Sequence, residues 1–422
     1  MRETLDLLTR EPGARRFFLA HAQSSLGTGA GYVALLVIAY ERFESPWAIT
    51  LVLLADFLPA MLVGPLFGAA ADRWSRRWCA IVSDVARALA FVGIAFVDSI
   101  EATVALALVA GAGAGMFTPA ILAGLPSLVS PDRLPAATSV YGAITDLGRT
   151  AGPAIAAGIL VVGSAEALSV ANGATFALSA LVLFTLPFGS APEAEAGRPS
   201  LLRQAREGLA ATARMPGLRV LILASSGILL FAGMMNVAEL LLARDLGAGD
   251  AGFSLLVATW GLGFVAGSLT GASGRNITEL KRRYLGGLLV FALGLLSLAV
   301  VPVLAAAFPA FAVIGWGNGL VIVHERLLMQ RTVPDRLMAR AYAAADTLGS
   351  WALAAAFLGA GTIVSLVGTR ELFVIAGVGG LVVWITASAG LRGAWVDEPE
   401  PPEGESAASL AAERPAVSRP MP

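Results

Sequence analysis

The sequence predicts an all-α membrane protein with twelve transmembrane helices arranged as two six-helix bundles. Apolar residues make up 57% of its 422 residues, charged residues make up 14%, and the mean hydropathy is +0.76. Twelve apolar runs of membrane length follow one another along the chain. The second six repeat glycine and proline motifs of the first six. A soluble protein could not bury this much apolar surface.

Each apolar run is long enough to form one spanning helix, which needs about 20 predominantly apolar residues. Charges, Pro or Gly bound every run. In chain order the predicted spans are 17–40, 46–70, 78–97, 102–124, 137–163, 168–189, 218–243, 251–273, 285–305, 309–330, 341–367 and 371–391. The first run is of full membrane length and no small-residue cleavage site follows it, so we expect it to stay as a helix.

The spans divide the chain into five parts. We expect a cytoplasmic N-terminus at 1–16, a six-helix bundle at 17–189, a cytoplasmic linker at 190–217, a second bundle at 218–391 and a cytoplasmic tail at 392–422. The linker carries Pro and charges of both signs, and we expect it to contain one amphipathic helix that lies on the membrane. The tail is rich in Pro, Glu, Ala and Ser and cannot form a core.

Arginine distribution predicts the orientation. With the N-terminus inside, 24 of the 29 Lys and Arg residues lie in cytoplasmic segments. Three lie outside, at Arg42, Arg244 and Arg370, and two are embedded, at Arg87 and Arg149. Such an imbalance predicts that both termini are cytoplasmic.

The two halves repeat each other at a shift of 203 or 204 residues. The matching sets are Gly64 and Gly68 with Gly267 and Gly271, residues 131–134 with 334–337, and Gly111, Gly113 and Gly115 with Gly315, Gly317 and Gly319. This repeat predicts two bundles in parallel orientation, with a binding site between them near the membrane midplane.

A short polar hairpin at 64–77 joins the second and third spans. Gly64 and Gly68 share a helix face, and their spacing lets another helix approach closely. Asp72, Arg73, Arg76 and Arg77 follow at the water boundary. Our hypothesis is that Asp72, helped by Arg73 and Arg76, accepts hydrogen bonds from the free amides at a neighbouring helix N-terminus and so latches the cytoplasmic side.

This hairpin resembles the signature loop between helices 2 and 3 of the major facilitator superfamily. The resemblance implies the major facilitator fold and places the partner of Asp72 at the start of helix 11, near Arg340-Ala341. Further motifs resemble the bacterial branch that contains macrolide efflux pumps and the enterobactin exporter. They are Leu58-Pro59, the Asp84 and Arg87 pair, Pro119-Ala120, the run 125–131, Gly152-Pro153 and Gly158.

Two positions depart from that branch. Thr28 follows Ser25-Leu26-Gly27 where branch members often carry Asp, and no arginine occurs at 104–116, where many proton-coupled drug antiporters have one. Another acid would therefore have to carry the proton, and Asp56 is our candidate. An inter-bundle hydrogen bond is the equally weighted alternative for Asp56.

Embedded charges cost about 2.5–3.5 kcal/mol at a helix centre on insertion scales, so each needs a partner or a function. Asp146 and Arg149 lie three residues apart on one helix face, which favours a structural or gating bridge. Asp84 and Arg87 have the same spacing at the start of helix 3 and favour a local cytoplasmic bridge. His324, Glu325 and Arg326 close helix 10, and we assign them to the inner gate.

Three further groups are candidates for proton or substrate contact. Glu239, with Asn236 one turn before it, could meet a cation, or could simply be hydrated near the outer rim. Asp346 shares a face with Tyr342 and faces the expected meeting of helices 2 and 11. His21, Ser25, Thr28 and Tyr32 form one polar stripe on helix 1, which suggests either a cavity wall or helix–helix hydrogen bonds.

Composition limits the other function classes. A net charge of −1 gives no argument for nucleic-acid binding. The single Cys79 excludes an internal disulfide, and two histidines argue against a structural metal site. No phosphate-binding loop of the ATPase type occurs, so we expect no cofactor and a proton gradient as the energy source. We expect no enzymatic activity. The expected partners are a small-molecule substrate and the lipid bilayer, with a monomeric protein.

The leading interpretation is a secondary transporter that exports small, moderately hydrophobic molecules by alternating access and proton antiport. Drug or multidrug efflux of this kind would give antibiotic resistance. The alternative is an exporter or importer dedicated to one natural product, siderophore or metabolite. A membrane sensor or scaffold that no longer transports is a third class.

Overall fold

The computed structural model describes residues 9–73, 75–188, 215–271 and 276–395. Within these ranges the side chains at 62–73, 271, 335, 336 and 339 are not described. Most of the predicted linker and tail therefore lies outside the described residues. The described part of the chain is helical apart from its connections.

Twelve long helices form the described part of the protein, which confirms the predicted fold class. The first six are α1 (Pro12–Phe43), α2 (Pro46–Arg73), α3 (Arg76–Phe96), α4 (Ile100–Gly124), α5 (Leu134–Leu160) and α6 (Ala165–Phe184). The second six are α7 (Pro216–Asp245), α8 (Asp250–Gly271), α9 (Ile277–Val300), α10 (Leu304–Thr332), α11 (Asp335–Val367) and α12 (Thr369–Gly390). Two 3₁₀ turns, Leu125–Ser127 and Pro131–Arg133, connect α4 to α5.

Polar caps start three of these helices. The hydroxyl of Ser99 accepts a hydrogen bond from the Ala102 amide at 3.2 Å, and Ser164 does the same for Ala167 at 3.3 Å. Asn276 caps α9 through the Glu279 amide at 2.8 Å. Each cap satisfies an amide that has no partner within the helix, so these residues mark where the helices begin.

Ten of the described helices contain a window that is long and apolar enough to cross a bilayer. The side chains of α2 are described up to Met61, and the stretch Pro46–Met61 is apolar but shorter than a full span. Helix α5 falls outside the group because polar residues, including Asp146 and Arg149, interrupt its apolar run.

The packing of the helices repeats between the two halves. In the first half α1 packs on α5 and α6, α4 packs on α2 and α3, and α3 packs on α6. The same five pairings recur in the second half after adding six to each helix number. Among the described residues two large contacts join the halves, α2 with α11 and α5 with α8, and the same symmetry exchanges them. The structure is therefore two pseudo-symmetric bundles.

Glycines set the spacing of the helices inside each bundle. A Cβ on Gly111 would overlap the Asp56 carbonyl oxygen of α2, and a Cβ on Gly315 would overlap the Trp260 carbonyl oxygen of α8. Gly113 and Gly317, two residues further on, face α3 and α9 instead. Because lipid offers little hydrophobic driving force for association, such close backbone contacts hold helices together. The glycine repeat in the sequence thus has one cause in both halves.

The bundles meet at one end and separate toward the other. Residues 33–39 of α1 and 237–243 of α7 are buried on every side. One apolar cluster there includes residues of both bundles, whereas the opposite half of the first bundle has its own cluster around Phe17, Phe117 and Leu183. We call the end at which α1 and α7 terminate the closed end, and the opposite end the open end.

We expect Gly315→Ala to destabilise the fold. The added methyl group would force α10 away from α8, and overpacking of this kind costs about 1–3 kcal/mol. The measurement is the folded fraction that survives heating of the detergent-solubilised protein, followed by size-exclusion chromatography.

Gly286→Ala is the matched control, because Gly286 lies in α9 and a Cβ there meets nothing within 4 Å. Alanine is the better helix former, so this variant should be as stable as the parent or slightly more stable. Equal heat resistance of both variants would contradict the assigned role of Gly315.

Candidate functional site

A hydrogen bond between Tyr32 and Glu239 joins the two bundles near the closed end. The Tyr32 hydroxyl on α1 donates to Glu239 Oε1 on α7 at 2.9 Å. The Glu239 side chain is only 4% exposed. Sequence reasoning allowed a hydrated position near the rim, but the structure buries this carboxyl at the junction of the bundles. Burying the charged form of a carboxyl group without a cation beside it is costly. Contact between the bundles at Glu239 therefore favours the neutral form of this side chain.

An ion-pair network covers the same junction at the surface. Arg244 of α7 lies 3.0 Å from Glu41 of α1 and also pairs with Asp250 at the start of α8. Glu41 and Arg244 are separated by 203 residues, so they are equivalent positions of the repeat that meet across the pseudo-symmetry axis. Exposed pairs of this kind are weak individually. This network therefore adds only modestly to the closed end.

The contact between α2 and α11 closes the same end. Thr50 Oγ1 donates to the Phe357 carbonyl oxygen at 3.2 Å, and the Phe57 and Phe357 rings lie 5.7 Å apart. A Cβ on Gly361 would lie 3.2 Å from Thr50 Cβ. The Thr50 side chain of α2 thus packs directly against the backbone of α11 at this level.

Toward the open end the same two helices enclose a cavity of about 360 Å³. One wall is α2, through Leu58, Ala60 and Met61. The other wall is one face of α11, and its lining residues are Ala343, Asp346, Thr347, Ser350, Trp351 and Ala354. The structure therefore places Asp346 between helices 2 and 11, on an exposed face.

Asp84 and Arg87 form a buried ion pair inside the first bundle. Asp84 is fully buried, and Arg87 is 7% exposed. The Arg87 guanidinium also lies 4.1 Å from the ring centre of Phe176 and 4.5 Å from that of Phe117. Two aromatic faces and one carboxylate thus replace the water that this cation would otherwise need.

The polar stripe on α1 divides into three parts. His21 is buried, with Nε2 3.1 Å from Thr145 Oγ1 and its ring stacked on Tyr141 at 4.4 Å. Ser25 is also buried, whereas Thr28 is exposed. Tyr32 contacts the other bundle, as described above. His21 therefore belongs to a helix–helix contact, and only the middle of the stripe faces open space.

The expected bridge between Asp146 and Arg149 does not form. Both side chains are exposed on α5, and none of the ion pairs among described residues joins them. A spacing of three allows a contact but does not require it, since water competes for exposed charges. Asp56 is half-buried on α2 and has no hydrogen bond to a described residue, and Asn236 is half-buried on α7.

The polar residues near the end of α10 lie in different surroundings. His324 is fully buried, and its Nδ1 contacts the Leu320 carbonyl oxygen at 2.6 Å. Glu325 is half-buried, and Arg326 is exposed. The three residues of this triplet thus differ in exposure, and their place in an inner gate stays a prediction.

In the hairpin at 64–77, the described side chains are those that follow residue 74. Arg76 donates to the Ala123 carbonyl oxygen at 2.7 Å, and the Arg77 guanidinium lies 5.0 Å from the Phe184 ring centre. Both residues therefore hold the start of α3 to its neighbours. The expectations for Gly64, Gly68, Asp72 and Arg73 concern positions whose side chains lie outside the described residues, so the latch stays a prediction.

Sequence reasoning missed several residues of this site. Thr50, Phe357, Glu41 and Trp351 carry no motif, and each acquires its role only because a distant helix packs beside it. One signal was available: Glu41 and Arg244 carry opposite charges at equivalent positions of the repeat.

We expect Asp84→Asn to lower the free energy of unfolding by about 3–5 kcal/mol, because it leaves Arg87 as an uncompensated buried charge. Heat resistance of the purified protein measures the effect. The double variant with Arg87→Gln removes both charges and should recover part of the loss. If the single variant were as stable as the parent, the pair would have no structural role.

Comparison with known proteins agrees with this architecture. The family model of the major facilitator superfamily matches residues 17–357. The MFS-type transporter YfiS of Bacillus subtilis (strain 168) is 25% identical over 88% of this chain and 91% of its own. The enterobactin exporter EntS of Salmonella typhimurium is 27% identical over 80% and 82%, and the multidrug efflux pump Tap of Mycolicibacterium fortuitum is 25% identical over 82% and 88%.

Solved structures share the fold at low sequence identity. The nucleoside transporter NupG superposes with a TM-score of 0.72 at 14% identity, covering 90% of this chain and 99% of that one. A bacterial homologue of the human lysosomal transporter Spinster, in an inward-facing and unoccupied conformation, superposes with a TM-score of 0.69 at 13% identity, covering 92% and 100%. With its duplicated bundles, its packing and this family match, the chain belongs to the major facilitator superfamily.

Proposed function

We propose that this protein is a secondary active exporter of small, moderately hydrophobic molecules, working by alternating access and driven by proton entry. The observation that carries the proposal is the arrangement of the two bundles. They are in contact at the closed end and enclose a cavity toward the open end. Rocking of two rigid bundles about a central site is how such duplicated carriers expose a substrate to each side in turn.

The distribution of Lys and Arg suggests how the protein is oriented in the bacterial inner membrane. With both termini in the cytoplasm, the open end faces the cytoplasm and the closed end faces outward. A substrate inside the cell would then enter the cavity in the observed state. Opening of the closed end, with the Tyr32 to Glu239 contact broken, would release it outside.

Glu239 is the acid that best fits the role of proton carrier. It is buried while the closed end is shut, and it would meet outside water when α1 and α7 separate. Re-closing around a charged carboxylate is costly, so protonation from outside would favour the return to the observed state, where loss of the proton to the cytoplasmic side would complete the cycle. Asp56 is the second candidate, because it is half-buried without a described partner. One proton entering across 100 mV supplies about 2.3 kcal/mol, enough for roughly a 50-fold gradient of an uncharged solute.

A carrier dedicated to one natural product or siderophore is the second candidate function. The relationship to an enterobactin exporter favours it, and the relationship to a multidrug efflux pump favours broad specificity. Uptake into inverted vesicles of several unrelated dyes, rather than of one metabolite only, would support the broad exporter.

We expect a disulfide across the closed end to stop transport. The variant carries Thr50→Cys and Gly361→Cys in a background with Cys79→Ser, because the two Cβ positions lie 3.2 Å apart. A protease site in the linker at 190–214 would reveal the cross-link as two fragments held together on a gel. Dye efflux should cease on oxidation and return with dithiothreitol.

The two single-cysteine variants are the controls and should keep their efflux under the same oxidant. A fully cross-linked protein that still transports at the uncross-linked rate would show that the closed end does not open during transport.

We expect Glu239→Gln to abolish transport driven by a pH gradient while exchange of substrate across the membrane continues. The glutamine side chain can still accept the Tyr32 hydrogen bond but cannot carry a proton. Proteoliposomes with and without an imposed pH gradient separate the two activities.

Asp56→Asn and Tyr32→Phe are the matched variants. Tyr32→Phe removes the hydrogen bond and keeps the acid, so coupling should persist. If Glu239→Gln stayed fully coupled while Asp56→Asn lost coupling, the carrier would be Asp56 and our assignment would be wrong.

A further inference from the structure

The cavity between α2 and α11 has one acidic and one apolar side. Asp346 is exposed on α11, and Thr347 and Ser350 add two hydroxyls beside it. The remaining lining is alanine, leucine, methionine and tryptophan. Ligand sites typically combine such an apolar surface with a few polar groups that orient the ligand.

Asp346 has no ion-pair partner within 4.0 Å among the described residues. Arg326 of α10 acts on it only from beyond ion-pair distance. An unpaired carboxylate in such a place attracts a cation.

Trp351 gives this cavity a second means of binding a cation. This residue is 62% exposed and lies five residues beyond Asp346, and both residues line the cavity. The face of an indole ring attracts organic cations. Met61 and Leu58, on the opposite wall, provide adaptable apolar contacts for the rest of a ligand.

The volume limits the ligand. About 360 Å³ is at the lower end of the range for drug-sized ligands. One ring system with a short cationic group fits this space better than a large macrocycle. A multiply charged ligand would leave charges unpaired, because one carboxylate faces the cavity directly.

We propose that this cavity binds a compact amphipathic monocation, with Asp346 and the Trp351 ring against the cationic group and Leu58 and Met61 against the apolar body. Only the role of this cavity as the loading site on the cytoplasmic side rests on the proposed export function. Binding itself requires no transport.

The test uses the purified full-length protein in nanodiscs and radiolabelled phenyltrimethylammonium as the probe, with binding measured by equilibrium dialysis. The neutral isostere tert-butylbenzene is the competitor. The cation should bind at least tenfold more tightly than its isostere. Equal binding of the two would overturn the proposal, because charge would then contribute nothing.

Asp346→Asn should weaken binding of the cation at least tenfold. The affinity of the protein for the neutral tert-butylbenzene should be the same in this variant as in the parent. Ser350→Ala, on the same cavity face, should stay within about twofold of the parent. Arg326→Gln should strengthen cation binding, because it removes a competing positive charge. Size-exclusion chromatography checks that each variant is folded. Unchanged cation affinity of a folded Asp346→Asn protein would overturn the proposal.

Vesicle transport distinguishes failure of this site from failure of the proposed function. If the purified protein binds the cation but vesicles transport no substrate, the site stands and the exporter does not. If vesicles export neutral molecules and the cation does not bind, the exporter stands and the cation site is wrong.

Discussion

Close contact between helix backbones is the constraint on which the rest of this structure depends. A bilayer removes most of the hydrophobic driving force between helices, so association relies on packing at short range. Gly111 and Gly315 supply that packing in equivalent places, each against a backbone carbonyl of a neighbouring helix. Those contacts leave no room for a side chain, so they fix how closely the helices of each bundle pack.

Hydrogen bonds join helices both inside the bundles and between them. Inside a bundle, helices touch along seams of glycine and apolar side chains, and hydrogen bonds such as that of His21 with Thr145 add to them. At the closed end the bundles touch through polar groups as well, as in the Tyr32 to Glu239 hydrogen bond and the Thr50 to Phe357 hydrogen bond. Hydrogen bonds between membrane helices contribute modestly, typically about 0.6 kcal/mol. Such contacts can therefore hold one state without preventing the exchange between states.

The embedded charges fall into three groups with different physical roles. Asp84 and Arg87 neutralise each other within one bundle, and aromatic rings cover the cation. Glu239 lies between the bundles and has a neutral donor as its partner. Asp346 faces the cavity. Glu239 and Asp346 lie where the bundles face each other, so we propose them for coupling and binding, whereas Asp84 and Arg87 lie inside one bundle.

The sequence by itself determined the helices, their number and the duplication, because these follow from apolar run length and from motifs that repeat at a constant shift. It also predicted the Asp84 and Arg87 pair, whose members share one helix face. The tertiary structure alone decided which polar groups meet across helices. Asp146 and Arg149 share a face as well, yet they stay apart. Tyr32 and Glu239 are separated by 207 residues and meet only because two bundles pack together. Helix formation depends on neighbours in the chain, whereas a hydrogen bond between helices depends on where each helix lies in space.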